Sequence, residues 1–347
     1  MSYLMDMDIP ELERLLKNMD EPSFRAKQVY SWLQRGATID EMSDIPKNLR
    51  AELNKLPLGS VKIFKEFKSS KTDAVKYLFL LEDGEFVEGV LMRYRHGYTM
   101  CLSTQIGCRM GCAFCASTLN GLVRNLRPGE LLGQIAAAER NNRVSENQRV
   151  LSNIVLMGSG EPLDNYENII AFLKRVTSPD GLGISPRNIS LSTCGLVPKI
   201  YRLMEESLPV TLCISLHAHN DALRSQLVPV NRQYPIPMVL NAVKAYIKKT
   251  GRRAIIEYAL IDKLNDGPAD AASLAKLLKG INCHINLIPL NNVPERNLKG
   301  SSRKRAMEFA SWLAAEKTSA TVRRSLGTDI EGACGQLRQR HLDENGG

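Results

Sequence analysis

Three cysteines stand close together in the run CRMGCAFC: Cys108, Cys112 and Cys115. The spacing Cys-x-x-x-Cys-x-x-Cys supplies three thiolates, one fewer than a closed iron–sulfur cluster or a structural zinc site uses. Three thiolates leave one iron of a [4Fe–4S] cluster open, and a small molecule can bind there. The spacing therefore predicts a reactive metal cluster. Two alternatives stay open, namely a zinc site with a distant fourth ligand and three thiols that only pack.

Other polar runs follow apolar segments in the same part of the chain. From about residue 97, strand-like and helix-like segments alternate, which predicts parallel βα units in a barrel or part of one. GSGEPL (158–163), STCG (192–195) and SLHAHND (215–221) each come at the end of a strand-like segment. Barrel enzymes build their active sites at the C-terminal ends of their strands. We therefore expect these runs to form one site with the cysteines.

The chain before residue 97 has a different pattern. Residues 8–56 are predicted to form helices, one of them capped by Asp8 and opened by Pro10. Antiparallel strands are predicted over 61–67, 74–81 and 85–94. The predicted division is a helical accessory domain at 1–58, a short antiparallel β extension at 59–96 and a core at 97–347.

The charge balance favours a polyanionic partner. The chain of 347 residues has a formal net charge of +9, and basic proteins attract nucleic acids. Lys62, Lys65 and Lys68 alternate with Phe64 and Phe67, and basic and aromatic side chains together are typical of nucleic-acid surfaces. From charge and aromatic residues alone, a nucleic-acid surface in this accessory region and an ordinary solvated basic face stay open as alternatives.

The cysteine count and the N-terminus indicate a compartment. Eight cysteines in 347 residues are too few for a disulfide scaffold. The N-terminal run lacks a basic segment followed by an apolar stretch, and no apolar run approaches the ~18 residues of a membrane helix. The expectation is a cytoplasmic protein with no membrane partner.

Several runs together resemble the radical S-adenosylmethionine (SAM) superfamily, and within it the RlmN/Cfr branch of RNA adenine methyltransferases. The runs that carry the resemblance are CLSTQIGCRMGCAFCAS, RNLRPGELLGQI, MGSGEPLDN, ISLSTCGLVPKI, ISLHAHND, INLIPLN and DIEGACGQL. The chain departs from the common family pattern at Ser159, Cys194 and His219. The resemblance implies a partial (β/α)6-type barrel, a [4Fe–4S] cluster on the three cysteines and two SAM molecules per turnover.

The resemblance also implies a reaction. The chain looks closest to the RlmN type, which methylates C2 of an adenosine in 23S rRNA and of adenosine 37 in tRNAs. The alternative is a Cfr-like enzyme that methylates C8 of the same rRNA adenosine. A radical SAM enzyme of small molecules and a non-catalytic iron–sulfur regulator are further alternatives, disfavoured by the paired Cys101 and Cys334 and by the complete set of motifs.

The family's catalytic residues match three positions. Cys334, in GACGQL, would receive a methyl group from SAM, and a 5′-deoxyadenosyl radical would then activate that methyl group. Cys101 would release the product by forming a disulfide with Cys334, and Glu88 would accept the C2 proton. We expect Arg323, Arg324 or the approaching sulfonium of SAM to favour the thiolate of Cys334.

The remaining motif residues would bind SAM by the same resemblance. Gly160 and Glu161 would contact its amino group, and Asn291 its adenosine. The carboxylate and ribose contacts would come from Ser192, Ser215, Leu216 and His217. The implied partners are 23S rRNA, tRNA and a flavodoxin-type or similar electron donor, and the protein is expected to be a monomer.

Overall fold

The N-terminal part of the computed structural model is helical, and the structure describes residues 3–94, 97–142, 150–324 and 326–337. Its helices are α1 (Ile9–Lys17), α2 (Phe24–Gln34) and α3 (Lys47–Leu53). Asp8 caps α1 as predicted. Its carboxylate accepts from the Glu11 amide at 2.8 Å, and its own amide donates to the Glu11 carboxylate at 2.8 Å. The last ten residues of the predicted core, 338–347, lie outside the described residues.

Three antiparallel strands follow this helical part. They are β1 (Lys62–Lys68), β2 (Ala74–Leu80) and β3 (Phe86–Tyr94). The next strand, β4 (Gly97–Leu102), pairs antiparallel with β3 through Val90 and Cys101. On its other side β4 pairs in parallel, so the β extension and the core share one sheet.

The core alternates parallel strands with helices, which confirms the predicted mixed α/β fold. After β4 come a hairpin and six further parallel strands: β5 (Gln105–Gly107), β6 (Leu122–Asn125), β7 (Leu151–Leu156), β8 (Ile189–Thr193), β9 (Thr211–Ser215), β10 (Ala254–Leu260), β11 (Cys283–Pro289) and β12 (Ala320–Val322). The connecting helices are α4 (Pro128–Asn142), α5 (Tyr166–Thr177), α6 (Val197–Glu205), α7 (Asp221–Leu227), α8 (Ile236–Thr250), α9 (Pro268–Leu278) and α10 (Arg303–Ala315). The sheet order is β1-β2-β3-β4-β7-β8-β9-β10-β11-β12.

Apolar side chains explain why the helices pack on this sheet. Ile154, Leu191 and Ile256 on the central strands are fully buried, as are Phe172 of α5 and Val243 of α8. Parallel strands are buried on both faces and therefore carry nearly continuous apolar runs. The carboxyl ends of β4 and β7–β11 meet at one edge of the sheet, and the polar sequence runs follow there.

The helical N-terminal part is tied to the core by arginines. Arg127 of the β6–α4 turn contacts the Asp6 carboxylate at 2.7 Å, and Arg140 of α4 contacts Glu41 at 2.7 Å. The Arg140 guanidinium lowers the pKa of Glu41 to about 2. None of the helices described is both long and apolar enough to span a membrane.

Candidate functional site

The loop with the three cysteines is fixed from several sides. The Cys108 amide donates to the Gly121 carbonyl at 2.8 Å, and the Ala113 amide donates to the Leu227 carbonyl of α7 at 2.9 Å. Arg296 donates to the Cys115 carbonyl at 3.1 Å and to the Thr118 hydroxyl at 2.8 Å. Contacts from separate parts of the core thus hold the loop in place.

All three cysteines line one cavity of about 160 Å³. Burial raises the pKa of Cys108 to about 12. Burial and then repulsion from Cys115 and Cys108 raise the pKa of Cys112. Three thiolates in one cavity therefore need a positively charged metal group to offset their repulsion.

This donor set fits an iron–sulfur cluster, because thiolates are the usual ligands of such clusters. No group of three His, Cys, Asp or Glu side chains in the described residues is placed to hold a single metal ion. The cysteines of a [4Fe–4S] cluster each bind a different iron, so they do not have to converge on one ion.

The GSGEPL run forms the next part of the cavity wall. Gly160 has φ +102°, and a Cβ there would lie 2.6 Å from the Gln105 side chain. Glu161 is buried, and its carboxylate accepts from the Leu163 amide at 3.0 Å and the Cys194 amide at 2.8 Å. Burial raises the pKa of Glu161 in spite of these contacts. Both residues line the cavity, and Glu161 also joins this loop to the end of β8.

The ends of β8 and β9 add hydroxyl groups and an imidazole. The Ser192 and Ser215 hydroxyls are 3.2 Å apart, and both residues line the cavity with His217. His217 has φ +59° and its Nδ1 accepts from the Ala259 amide at 3.0 Å. Burial and then Arg224 lower the pKa of His217 to about 3, so the ring is neutral with its proton on Nε2.

Leu216 differs from the other predicted SAM contacts. Its side chain is fully buried and is not part of the cavity wall. Its amide donates to the Glu257 carbonyl at 3.1 Å. Leu216 therefore packs in the core and joins the end of β9 to β10 through its backbone.

The segment with Cys334 closes the cavity on the side of β11. Asn291 lines the cavity, and its side chain donates to the Cys334 carbonyl at 3.0 Å. The Ala116 amide of the cysteine loop donates to the Gly335 carbonyl at 2.8 Å. Cys334 itself lines the cavity, so it faces the same space as the three predicted cluster ligands.

Arg323 is placed beside the two predicted catalytic thiols. A second, smaller cavity is lined by Cys101, Arg323 and Cys334, and Arg323 and Cys334 also line the first. Negative charge on Cys334, and then on Glu257, raises the pKa of Arg323 above its usual value. Burial raises the pKa of Cys101 to about 12. Both thiols are free in the structure.

Glu88 lies outside these two cavities. It faces the same side of the sheet as Cys101, because β3 and β4 pair at Val90 and Cys101, and Glu88 is two residues from Val90. Its carboxylate contacts the Lys76 ammonium at 2.9 Å, and both side chains are only 3% exposed. The structure therefore places Glu88 near the predicted thiols in the sheet but not in the cavity wall with them.

Sequence reasoning missed three polar residues of this region. Glu257 lines the main cavity, Arg224 is fully buried behind it, and Arg296 holds the cysteine loop. Glu257 lies inside the apolar run AIIEYAL of β10. A single carboxylate in such a run was the one sequence signal that could have marked it as a site residue. Nothing local distinguishes the two arginines from surface residues of helix or loop.

Two family models match the chain. Residues 102–275 match the radical SAM superfamily, and residues 3–57 match the ribosomal RNA large subunit methyltransferase N-terminal domain. The first match spans β7–β10 and contains the three cysteines. The second covers the helical N-terminal part.

Whole-length relatives agree with these matches. A probable dual-specificity RNA methyltransferase RlmN of Alkaliphilus oremlandii is 50% identical, with 98% of each chain covered. A protein of the same description from Clostridium botulinum strain Alaska E43 is 47% identical over 99% of this chain and 98% of its own. The crystal structure of a radical SAM methyltransferase from Sphaerobacter thermophilus matches with a TM-score of 0.93 and 44% identity, over 97% of this chain and 99% of that one.

Proposed function

Since the chain belongs to the RlmN family of radical SAM RNA methyltransferases, we propose that it methylates C2 of an adenosine in 23S rRNA and of adenosine 37 in tRNAs. The reaction would pass through a methylated Cys334 and use two SAM molecules per turnover. It would take place in the cytoplasm.

The observation that carries this proposal is the position of Cys334. Its side chain lines the same cavity as Cys108, Cys112 and Cys115. A thiol that receives a methyl group and then presents it for activation must reach the place where SAM is bound. The shared cavity supports this requirement.

The three cysteines would hold a [4Fe–4S] cluster, which supplies one electron to cleave SAM into methionine and a 5′-deoxyadenosyl radical. Gly160, the Ser192 and Ser215 hydroxyls and the His217 imidazole are proposed to orient SAM. Glu161 accepts two backbone amides already, so it would use its remaining lone pairs for the amino group.

The catalytic thiols then act in sequence. Cys334, which lines both cavities together with Arg323, would take the methyl group from the first SAM. The methyl group would lose a hydrogen atom to the 5′-deoxyadenosyl radical before its carbon bonds to C2, and the one electron left over would return to the cluster. Glu88, which lies outside the cavity in an ion pair with Lys76, is proposed to accept the C2 proton. The Cys101 sulfur would then bond to the Cys334 sulfur, the bond from Cys334 to the transferred carbon would break, and that carbon would take up a proton to become the methyl group. An external reductant must open the resulting disulfide.

The exposed edge strand β1 is proposed to contact RNA. Lys62, Lys65 and Lys68 are exposed, and the Phe64 side chain beside them is 56% exposed. Lysines also protect an edge strand from pairing with another sheet, but that role does not require an exposed aromatic ring. The proposed electron donor is of the flavodoxin type or similar.

The test uses protein reconstituted anaerobically with iron and sulfide. It receives SAM, a reductant and either a 23S rRNA fragment or tRNA, and the digested nucleosides are analysed by mass spectrometry. We expect 2-methyladenosine from both RNAs, and none from Cys334→Ala. Cys283→Ala is the matched control, because Cys283 lies at the start of β11, outside both cavities, and should leave the product unchanged.

Other products would contradict the proposal. Formation of 8-methyladenosine would assign the chain to the Cfr-like type. Cleavage of SAM with unmodified RNA would mean that the substrate is a different molecule. Methylation by Cys334→Ala at the wild-type rate would exclude the proposed intermediate.

A further inference from the structure

Arg224 of α7 is fully buried, and among the described residues its link to a carboxylate is indirect. The Asn231 side chain accepts from Arg224 at 2.8 Å and donates to the Asp221 carboxylate at 3.0 Å. The guanidinium instead donates to neutral oxygens: the carbonyls of Cys194 (2.6 Å), Ser215 (3.2 Å), Leu216 (3.2 Å) and Tyr234 (3.4 Å), and the Asn231 side chain (2.8 Å). Arginine is almost never fully buried unless it is paired, so this charge needs an explanation.

The position of Arg224 relates it to the cysteine loop. Leu227, one turn further along α7, accepts from the Ala113 amide at 2.9 Å, between the second and third cysteines. Leu227 also packs in one apolar cluster with Cys112 and Cys194. Because two of the carbonyls that Arg224 holds belong to cavity residues, Cys194 and Ser215, its charge lies directly behind the cavity wall.

We propose that Arg224 is a fixed positive charge that stabilises the reduced state of the cluster and so raises its reduction potential. Reduction adds one negative charge to a group that already carries three thiolates. A nearby cation in a poorly polarisable interior stabilises the more negative state, and net charge is one determinant of cluster potentials. The inference rests on the proposed function, because it requires a cluster on Cys108, Cys112 and Cys115.

A purely structural role makes a different prediction. As a hydrogen-bond donor alone, Arg224 would join the ends of β8 and β9 to the turn after α7, and any replacement would act through loss of those bonds. The reduction potential would then follow hydrogen bonding and not charge. Lysine and methionine at this position separate the two roles, because only lysine keeps the charge.

The experiment measures the potential of the reconstituted cluster without SAM or RNA. Wild type, Arg224→Met and Arg224→Lys are titrated anaerobically against a reductant, and the reduced cluster is followed by electron paramagnetic resonance. We expect the equilibrium constant for reduction to fall at least tenfold in Arg224→Met, which is about 59 mV for one electron. Arg224→Lys should stay within threefold of wild type.

Arg175→Met is the matched control. Arg175 is also buried and also donates to backbone carbonyls, those of Met5 (2.7 Å) and Asp6, but it lines neither cavity. Its replacement should lower stability and leave the potential unchanged. A similar shift in Arg175→Met would overturn the inference, since loss of stability alone would then explain the result.

Two further outcomes decide against it. An unchanged potential in cluster-loaded Arg224→Met would overturn it, and so would an equal shift in Arg224→Lys. If Arg224→Met does not fold, Arg224→Gln keeps an amide donor, removes the charge and carries the same expected tenfold fall. Failure of the wild type to bind any cluster would instead contradict the proposed function.

Discussion

At the scale of single residues, we expect the stability of the fold to be sensitive to mutation of the buried ion pair between Lys76 and Glu88. Replacing Lys76 by Met removes the ammonium that lies 2.9 Å from the buried Glu88 carboxylate. Loss of one partner from a buried pair costs about 3–5 kcal/mol. We therefore expect Lys76→Met to lower the free energy of unfolding by about that amount in urea titrations.

The double variant Lys76→Met/Glu88→Leu is its control. The double variant buries neither charge, and replacing both members of a buried ion pair by apolar side chains is often neutral. The double variant should regain most of the lost stability. A double variant as unstable as Lys76→Met would show that packing of the lysine stem, and not its charge, is what matters.

His217 gives a pH dependence with a definite sign. The folded protein keeps the pKa of His217 at about 3, against 6.5 for the free side chain. Between these values the unfolded chain binds the proton and the folded protein does not, so stability falls as pH drops below 6.5. In urea titrations, the free energy of unfolding of wild type minus that of His217→Gln should fall by about 2 kcal/mol between pH 7 and pH 5.

This comparison uses the metal-free protein, so that cluster loss at low pH has no effect. His217→Gln removes the titrating ring and keeps a hydrogen-bonding side chain. A stability difference that is the same at both pH values would contradict a lowered pKa for His217.

At the scale of elements, the turn after β7 depends on one glycine. Gly160 has φ +102°, and a Cβ would lie 2.6 Å from Gln105. Gly160→Ala should therefore displace the GSGEPL turn and weaken SAM binding at least tenfold, measured by equilibrium dialysis with reconstituted protein. Gly183→Ala is the control, because Gly183 also has a positive φ, +60°, but open space around it. Equal SAM affinity in the two variants would contradict this role.

Helices and strands could be predicted because the sequence signals for them are local. Asp8 and Pro10 mark the start of α1, and α4 begins at a proline, Pro128. The βα alternation likewise predicted which runs share one edge of the sheet. Most of the predicted SAM contacts do line one cavity, although their roles stay predictions.

Other features required information that no local pattern contains. The Lys76–Glu88 pair depends on the register between β2 and β3, in which Leu78 stands opposite Glu88. β12 ends at Val322, so Arg323 lies beyond the sheet and lines the smaller cavity with Cys101 and Cys334. Leu216 was expected to contact SAM, but the backbone conformation at the end of β9 turns its side chain into the core.

At the scale of the whole molecule, the net charge of +9 should appear in RNA binding. The triple variant Lys62→Gln/Lys65→Gln/Lys68→Gln removes three exposed charges from β1. We expect weaker tRNA binding and a salt dependence whose log–log slope falls by about 1 for each lysine that contacts a phosphate. Fluorescence anisotropy at several salt concentrations measures both.

The matched control removes three exposed lysines elsewhere. Lys244, Lys248 and Lys276 lie on α8 and α9, which flank β9, β10 and β11, far from β1 in the sheet order. Their replacement by Gln changes the net charge equally. Equal losses of affinity in both triple variants would mean that RNA responds to total charge and not to β1.

One contact between distant parts of the chain has a consequence for protein synthesis. The Asp329 carboxylate accepts from the Ser69 hydroxyl at 2.8 Å and from the Ser70 amide at 2.9 Å, so the segment before Cys334 is fastened to the β1–β2 turn. Synthesis proceeds from the N-terminus, and earlier parts fold first. The turn that receives this segment is therefore made some 260 residues before its partner. In a nascent chain the three-cysteine loop is therefore complete well before the segment with Cys334, which docks on the β1–β2 turn, has been made.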